Sequence, residues 1–123
     1  MDTGAYLHSV FGLEGKTILV TGAAGGIGSA ISRGLASAGG EVALCGRNLG
    51  KCRIQGDEIA AAGGKASAHH LDVADLDSIQ GCVDEVVQQY GKIDVLFNVA
   101  GINKREGLLD VAPETYDRIM NTN

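Results

Sequence analysis

The sequence is poor in aromatic residues: it has no tryptophan, two phenylalanines and three tyrosines. Proline is also scarce, with a single residue. It also lacks an excess of positive charge, since 15 acidic residues outnumber 10 lysines and arginines and the formal net charge is -5. This balance argues against non-specific binding to nucleic acid or to an anionic membrane, both of which need a basic face. Glycine, in contrast, occurs 19 times, which favours a backbone that passes close to a ligand or to another element.

Cysteine is also sparse. Cys45, Cys52 and Cys82 are odd in number and show no C-x-x-C spacing. This pattern argues against a disulfide framework and a zinc site, and it predicts buried, reduced thiols in a cytoplasmic protein.

Residues 1–13 have neither a basic segment nor a sustained apolar one, so no signal peptide is expected. The uncharged run at 17–32 is too short, and too often broken by glycine, to span a bilayer.

The remaining composition is that of one globular domain. Hydrophobic residues make up 45% of the chain and charged residues 20%, which is typical of a soluble folded protein. Strand-like apolar runs at 17–20, 42–45, 66–71 and 93–97 alternate with helical spacing at 27–38, 49–62 and 75–90, and again after Pro113. Apolar strands joined by helical crossovers predict an α/β fold with a parallel sheet covered on both faces.

A glycine-rich turn joins the first predicted strand to the first helix. Its residues are Thr21-Gly22-Ala23-Ala24-Gly25-Gly26-Ile27-Gly28. At such a turn the backbone passes close beneath a pyrophosphate, which a Cβ would obstruct, and the helix directs its free N–H groups at the anion. Its place in a βαβ unit fits a dinucleotide-binding turn. Tight strand-to-helix turns also use glycine for structural reasons alone, so the turn by itself leaves both interpretations open.

The end of the second predicted strand carries Gly46 and Arg47. An acidic residue at this place, roughly 20 residues after the turn, would accept hydrogen bonds from the adenosine ribose of NAD. Gly46 stands there instead, and the guanidinium of Arg47 suits a bidentate contact with the 2′-phosphate of NADP, worth about 1.5–3 kcal/mol. The pattern favours NADP over NAD, the alternative being that Arg47 is a surface residue that opens the next helix.

These motifs, in this order, resemble the short-chain dehydrogenase/reductase family from about Leu13 to the end of the chain, which leaves residues 1–12 as an N-terminal extension. The matching segments are Thr21-Gly22-x-x-x-Gly26-Ile27-Gly28, Leu71-Asp72-Val73, Asn98-Val99-Ala100-Gly101 and Tyr116-Asp117-Arg118-Ile119-Met120-Asn121-Thr122-Asn123. The resemblance implies a Rossmann-type, doubly wound parallel sheet. Residues 13–123 would form an incomplete NAD(P)-binding domain with about the first four strands and their helices.

A set of cofactor-binding residues follows from the motifs and the resemblance. The expected residues are Thr21, Gly22, Gly26, Ile27, Gly28, Arg47, Asp72, Val73, Asn98, Ala100 and Gly101. By resemblance, Asp72 contacts the adenine amino group and Asn123 is the asparagine of the catalytic tetrad. Asn98 has an alternative, structural role in which its amide ties adjacent strands. His69 and His70 are not expected to share a metal, because neighbouring residues of a strand point to opposite faces.

Two further resemblances concern the branch of the family. The turn also fits the Thr-Gly-x-x-Gly-x-x-Gly pattern of the longer sugar-nucleotide epimerases, because residues 25 and 26 are both glycine. The Asn98-x-Ala100-Gly101 pattern favours the shorter dehydrogenase branch. Within that branch, residues 11–16 and 100–105 are similar to gluconate 5-dehydrogenases and deoxygluconate dehydrogenases. Lys104 and Arg105 either line a site for an acidic sugar or form a solvated basic pair.

The family's proton-transfer residues are missing from this sequence. By resemblance, the chemistry uses a tyrosine as general acid/base, a lysine four residues later that lowers the tyrosine's pKa, and a serine that positions the carbonyl. Tyr6, Tyr90 and Tyr116 are followed at that distance by valine, aspartate and methionine. We therefore expect the 123-residue chain to be a fragment that is inactive on its own. Its strand at 93–97 is expected to form an exposed apolar edge.

The resemblance implies that hydride is transferred between a nicotinamide cofactor and a secondary alcohol or ketone. The expected cofactor is NADP(H), and NAD(H) is the less favoured alternative. A small molecule, such as a sugar acid, is the expected substrate. The alternative is a module, or an inactive product, that binds NADP(H) without turnover. No metal, nucleic acid or membrane is expected as a partner, and the expected location is the cytoplasm. The longer parent enzyme is expected to be a homo-oligomer, either a dimer or a tetramer.

Overall fold

The computed structural model describes residues 1–101 and 111–123. Strands and helices alternate after a first helix. The elements are α1 (Thr3–Phe11), β1 (Thr17–Thr21), α2 (Gly26–Ser37), β2 (Glu41–Gly46), α3 (Leu49–Ala61), β3 (Lys65–His70), α4 (Leu76–Tyr90), β4 (Val95–Asn98) and α5 (Pro113–Thr122). The predicted elements are therefore present, with bounds that differ by one or two residues.

The four strands form one parallel sheet in the order β3-β2-β1-β4. Val20 in β1 pairs with Leu44 on one side and with Phe97 on the other. The chain moves from β1 outward to β2 and β3, and then returns to the other side of β1 with β4. This order confirms the predicted doubly wound parallel sheet. Because the chain winds outward from β1 in both directions, the topological switch point lies between β1 and β4.

The core lies on both faces of the sheet, because successive residues of a strand point to opposite sides. One buried cluster packs beneath α2 and α3, and it consists of Ile18, Val20, Ala23, Ala36, Val42, Leu44, Cys52 and Ile59. The second packs beneath α4, and it consists of Leu19, Ala43, Cys45, Leu71, Cys82 and Val86. All three cysteines are free and buried, as the sequence predicts.

Helix α4 begins within one residue of the predicted bound, in a segment rich in aspartate. Asp75 is its N-cap, and its Oδ1 accepts hydrogen bonds from the backbone N–H groups of Asp77 (3.0 Å) and Ser78 (3.4 Å). The helix ends at Gly91, whose φ of 81° lies in the left-handed region that favours glycine. Pro113 occupies the first turn of α5, as predicted, where its missing N–H has no helical partner to lose.

A chain of hydrogen bonds connects β3 with α4. The Tyr90 hydroxyl donates to Ser67 Oγ (2.7 Å), Ser67 Oγ lies 2.7 Å from His69 Nε2, and His69 Nδ1 lies 2.6 Å from Glu85 Oε1. Since Glu85 only accepts, the consistent direction runs from Tyr90 to Glu85, with the His69 proton on Nδ1. Burial raises the pKa of Tyr90, which keeps this donor protonated. His69 is buried and His70 exposed, as expected for neighbours on one strand.

Strand β4 begins at Val95, two residues later than the predicted 93–97. Asp94 lies just before it and is joined to β1 at both its backbone and its side chain: its N–H donates to the Thr17 carbonyl (2.9 Å), and its Oδ2 accepts from the Thr17 N–H (2.8 Å). β4 is the edge of the described sheet, and Leu96 is 55% exposed. The predicted apolar edge is confirmed.

Residues 1–12, expected as an extension without assigned structure, contain helix α1. Asp2 caps the helix by accepting the Ala5 N–H at 3.2 Å. α1 buries none of its own side chains in the described structure, and Tyr6, Val10 and Phe11 are exposed. Across the described ranges 1–101 and 111–123, no helix combines the length and the apolar character needed to cross a membrane.

Candidate cofactor-binding site

A pocket of about 460 Å³ lies at the carboxyl ends of the strands, at the topological switch point. This is where open α/β sheets bind ligands, and the volume lies in the range of small-molecule and cofactor sites. The lining residues are Gly22, Ala24, Gly25, Gly26, Ile27, Gly28, Gly46, Arg47, Asn48, Lys51, Leu71, Asp72, Val73, Val99, Ala100, Gly101 and Thr122. Backbone from four separate loops therefore surrounds one space.

Two glycines of the turn are required by close packing within the protein. Gly22 has a φ of 64°, and a Cβ there would lie 2.8 Å from the Cα of Ala100. A Cβ on Gly28 would overlap the carbonyl oxygen of Gly22. These positions bring β1, the start of α2 and the segment after β4 into direct contact. The structural reason for glycine thus holds at Gly22 and Gly28.

Gly26 has no such packing reason. A Cβ at this position would meet no heavy atom of the described chain within 4 Å, although Gly26 lines the pocket. It is the first residue of α2, whose N-cap, Gly25, provides no side-chain cap in the described structure. The first N–H groups of a helix have no partner within the helix, and the helix dipole is positive at that end. The turn therefore leaves both open space and hydrogen-bond donors for an anion.

Thr21 lies beneath this turn rather than on the pocket surface. Its hydroxyl oxygen accepts hydrogen bonds from the N–H groups of Val99 (3.0 Å) and Ala100 (3.1 Å), and the hydroxyl lies 3.4 Å from the Phe97 carbonyl, to which it donates. Thr21 is 5% exposed. Asn98, which pairs with Thr21 in the sheet, also does not line the pocket. The tie between β1 and β4 that the sequence assigned to Asn98 as an alternative is made here by Thr21.

The end of β2 brings two positive side chains to the pocket. Arg47 follows the strand directly, and Lys51 lies in the first turn of α3, where its N–H is capped by Asn48 Oδ1 at 3.1 Å. Asp72 is the single acidic lining residue among those described, so the pocket is locally positive in a chain of net charge -5. Gly46 is buried, and a Cβ there would lie 3.1 Å from Cys52 Sγ.

The segment after β3 supplies Leu71, Asp72 and Val73 to the pocket. The Asp72 backbone N–H donates to Ser78 Oγ (2.8 Å), and its Oδ1 accepts the Ala74 N–H (3.0 Å). These two bonds fix the backbone and the carboxylate of Asp72 at the start of the crossover to α4. The carboxylate is thus held beside the pocket by local bonds.

Asn123 lies beside the pocket at the end of α5. A Cβ on Gly101 would be 3.1 Å from Asn123 Oδ1, so the two residues are close neighbours, and the adjacent Thr122 lines the pocket.

Nine of the predicted cofactor-binding residues line the pocket, and they are Gly22, Gly26, Ile27, Gly28, Arg47, Asp72, Val73, Ala100 and Gly101. The sequence hypothesis for Lys104 and Arg105 falls outside the described residues.

Several lining residues were not predicted from the sequence. They are Ala24, Gly25, Gly46, Asn48, Lys51, Leu71, Val99 and Thr122. Most contribute backbone beside a residue that was predicted. Lys51 is the exception, because it adds a charge. Its spacing of four residues from Arg47, across a helix start, is a sequence signal that could have identified it.

Comparison with known proteins agrees with this geometry. A family model described as short chain dehydrogenase matches residues 16–123. Gluconate 5-dehydrogenase of Gluconobacter oxydans is 40% identical over 114 residues, which cover 93% of this chain and 44% of that protein. The 2-dehydro-3-deoxy-D-gluconate 5-dehydrogenase of Escherichia coli is 34% identical over 115 residues, covering 94% of this chain and 45% of that protein.

A solved structure of a short-chain oxidoreductase also matches the fold of this chain. A metagenomic short-chain oxidoreductase in complex with NADP matches with a TM-score of 0.81 and 39% identity, over 89% of this chain and 50% of that one. The chain thus spans half or less of the length of the proteins it matches. The sequence resemblance, including that to the two sugar-acid dehydrogenases, is confirmed.

Proposed function

Since the chain belongs to the short-chain dehydrogenase family, we propose that it is the N-terminal, cofactor-binding part of an NADP(H)-dependent oxidoreductase. Residues 13–123 form the proposed NAD(P)-binding domain, and residues 1–12 precede it. The observation that carries the proposal is the pocket in which the open start of α2 faces Arg47 and Lys51 across one space. NADP(H), when bound, supplies or accepts the hydride exchanged with a secondary alcohol or ketone.

The first part of the proposed site holds the pyrophosphate. Gly26, Ile27 and Gly28 present backbone at the start of α2. The space beside Gly26, which no atom of the described residues fills, accommodates a phosphate group. Backbone N–H groups and the positive end of a helix dipole stabilise a phosphate without a side chain. Thr21 supports this loop from below by holding Val99 and Ala100, and so acts as a positioning residue.

The second part selects NADP over NAD. Arg47 and Lys51 place two positive charges at the end of β2, where the adenosine ribose is expected. A charge-assisted contact with a 2′-phosphate contributes about 1.5–3 kcal/mol, which corresponds to roughly a 10- to 100-fold preference. Gly46 offers no carboxylate to the 2′-hydroxyl of NAD, and its contact with Cys52 leaves little room for a larger residue.

For the whole protein we propose a polyhydroxy or sugar-acid substrate. The similar dehydrogenases of Gluconobacter oxydans and Escherichia coli are named for gluconate and for 2-dehydro-3-deoxy-D-gluconate. The motif that resembles such enzymes continues through Lys104 and Arg105, and a basic pair suits a carboxylate substrate. We further propose a cytoplasmic homo-oligomer for the parent enzyme, and roles in cofactor binding for Asn98 and in the catalytic tetrad for Asn123, as the family resemblance implies.

Calorimetric titration of the chain with NADPH and NADH tests the cofactor proposal. We expect NADPH to bind more tightly, and Arg47→Ala to weaken NADPH binding by roughly 10- to 100-fold while leaving NADH almost unchanged. Lys51→Ala acts in the same direction. The matched control is Arg53→Ala, because Arg53 is an exposed cation of the same helix that does not line the pocket. Equal losses in Arg53→Ala and Arg47→Ala, or no binding by a folded chain, would contradict the proposal.

A second function is favoured by one sequence fact. None of the three tyrosines is followed by a lysine four residues later, so this chain has no residue pair for the proton transfer that the family resemblance implies. We propose that the 123-residue chain alone binds NADP(H) without turnover. A coupled measurement tests this second function: we expect NADPH to bind in calorimetry and no NADPH to be oxidised in the presence of ketone substrates. Turnover by the isolated chain would refute the module hypothesis.

A further inference from the structure

Two of the three cysteines are in contact inside the protein. Cys45 lies near the end of β2, Cys82 lies in α4, and their Sγ atoms are 3.5 Å apart. Cys45 is 0% exposed and Cys82 3% exposed. The surrounding cluster is apolar, and its other members are Leu19, Ala43, Leu71 and Val86. The two sulfur atoms are therefore each other's nearest reactive partner in a site without open water.

Cys52 is separated from this pair by the sheet. It belongs to the cluster beneath α2 and α3, whereas Cys45 and Cys82 belong to the cluster beneath α4. All three cysteines lie in the described part of the chain, and the contact between sulfur atoms joins Cys45 to Cys82 alone. The fold thus selects one pairing out of three and leaves Cys52 as an internal reference with similar burial.

We propose that Cys45 and Cys82 form a reversible disulfide when the protein is exposed to hydrogen peroxide, which makes the pair an oxidative modification site linking β2 to α4. A disulfide bond is about 2.05 Å long, so the sulfur atoms must approach by about 1.5 Å. Side-chain rotation and a small displacement of α4 towards the sheet would provide this movement. The proposal does not depend on the cofactor assignment.

The environment decides which thiol reacts first. Contact with Cys45 lowers the pKa of Cys82, whereas contact with Cys82 and burial raise the pKa of Cys45. Cys82 is also the less deeply buried of the two, so a diffusing oxidant reaches its sulfur first, and the thiolate of Cys82 is the attacking group. Its sulfur attacks one peroxide oxygen, the O–O bond breaks, and the departing hydroxide takes up a proton to become water. Cys82 is then a sulfenic acid.

Cys45 completes the reaction. Its thiol loses a proton as the sulfur attacks the Cys82 sulfur, the S–O bond breaks, and the hydroxide leaves as a second water. Overall, the two thiols lose two electrons and two protons, and one peroxide molecule becomes two waters. Thiol reagents such as dithiothreitol reverse the bond by exchange. Because both sulfur atoms are buried, a small uncharged oxidant is the one that reaches them.

Cross-linking should stabilise the part of the fold beside the pocket. Cys45 immediately precedes Gly46 and Arg47, which line the pocket, and Cys82 lies on the helix that follows Asp72. The disulfide closes a loop between residues 37 positions apart, which restricts the unfolded chain. We therefore expect the oxidised chain to melt at a higher temperature than the reduced chain, with the difference removed by dithiothreitol.

Peptide mapping of the full chain tests the pairing. Trypsin separates the cysteines into peptides 34–47, 52–53 and 66–92. After dilute protein is treated with peroxide, we expect peptides 34–47 and 66–92 to be joined, with a mass two hydrogens below their sum. Thiols counted after denaturation fall from the three of the sequence to one, and dithiothreitol restores them. The linked chain remains a monomer on a non-reducing gel.

Single substitutions complete the experiment. Cys45→Ser and Cys82→Ser should abolish the linked peptide, whereas Cys52→Ser, the matched control, should retain it. A link that includes Cys52, a link between two chains, or separate over-oxidation of Cys82 without a disulfide would overturn the proposal, as would three intact thiols in a folded, peroxide-treated chain. If a serine at position 45 or 82 prevents folding, the peptide maps of the wild type and of Cys52→Ser still decide between these outcomes.

Discussion

The hydroxyl oxygen of Thr21 accepts the backbone N–H of Ala100 at 3.1 Å, and so joins the end of β1 to the segment that follows β4. The same oxygen accepts the Val99 N–H at 3.0 Å. One side chain therefore holds together two adjacent stretches of backbone that both lead into the lining of the pocket. A glycine at position 22 lets them approach this closely.

Thr21→Val should lower the free energy of unfolding by about 1–3 kcal/mol, because valine has nearly the same shape but leaves two part-buried N–H groups without an acceptor. Urea unfolding followed by circular dichroism measures the change. Thr21→Ser is the control, since it keeps the hydroxyl and should recover most of the loss. A valine variant as stable as the wild type would show that water replaces the hydroxyl at no cost.

Gly26→Ala and Gly28→Ala should have opposite effects on stability. Alanine fits at position 26 without contact and removes glycine's entropy cost in a helix, so stability should stay the same or rise by up to about 1 kcal/mol. Its methyl group lies in the pocket, so NADPH affinity should fall at least tenfold. Gly28→Ala should instead destabilise the fold strongly, since its Cβ overlaps the Gly22 carbonyl.

Gly34→Ala is the matched control for Gly26→Ala. Gly34 is an exposed residue of α2, its Cβ would also meet no described atom within 4 Å, and it does not line the pocket. Both variants should show similar thermal unfolding, but only Gly26→Ala should lose NADPH affinity in calorimetry. If both bind NADPH like the wild type, the space beside Gly26 is not the pyrophosphate site.

His69→Ala should lower the free energy of unfolding by about 2–4 kcal/mol, because it removes a fully buried ring and interrupts the chain of hydrogen bonds from Tyr90 to Glu85. His70→Ala changes the neighbouring, exposed histidine and should remain within about 0.5 kcal/mol of the wild type. Urea titrations of the two variants give the comparison. Equal effects would contradict the assigned difference in burial.

Asp94 should contribute stability at neutral pH that is lost in acid. The Thr17 backbone N–H, followed by Lys92, lowers the pKa of Asp94 below its ordinary value of 3.8. A carboxyl whose folded pKa is lowered stabilises the fold above its unfolded pKa, and this contribution disappears as the pH falls through the folded pKa. Asp94→Asn should therefore destabilise the chain at pH 7, and the difference should shrink at decreasing pH below about 4.

Thermal unfolding at a series of pH values checks this prediction. Asp57→Asn, which changes an exposed carboxylate of α3, makes the same change in net charge and serves as the control. Parallel pH dependence in the Asp94→Asn and Asp57→Asn variants would assign the effect to net charge instead of to the contact with Thr17. High salt should leave the Thr17 hydrogen bond largely intact and weaken the Lys92 contact.

Much of this fold was predictable because its determinants are local. The apolar run of β1 and the helical spacing of α4 lie in short windows of sequence, and both elements were predicted within one or two residues. The glycine-rich turn was predicted as well, but the separate reasons for its glycines depend on contacts that only the folded structure shows. Gly22 and Gly28 prevent clashes with distant or folded-back backbone, whereas Gly26 borders open space.

The features that the sequence did not predict depend on long-range contact. Thr21 meets residues 78 and 79 positions away, so no local pattern distinguishes it from a residue that touches the cofactor. Lys51 reaches the pocket only because α3 begins at Leu49 and turns it towards Arg47. Helix α1 has little apolar periodicity and buries no side chain of its own in the described structure, so its sequence lacked the usual marker of a packed helix.

The order of strands in the sheet also determines when each part of it can form during synthesis. Ile18 pairs with Val42, and Val42 pairs with Ala66, so β1, β2 and β3 assemble from neighbouring stretches of chain. Ile18 meets Val95 only after the two intervening crossovers and α4 have been made. Loop-closure entropy favours the nearer pairings first. On a ribosome, the nascent chain should therefore build the β1–β3 half and hold one side of β1 open until β4 emerges.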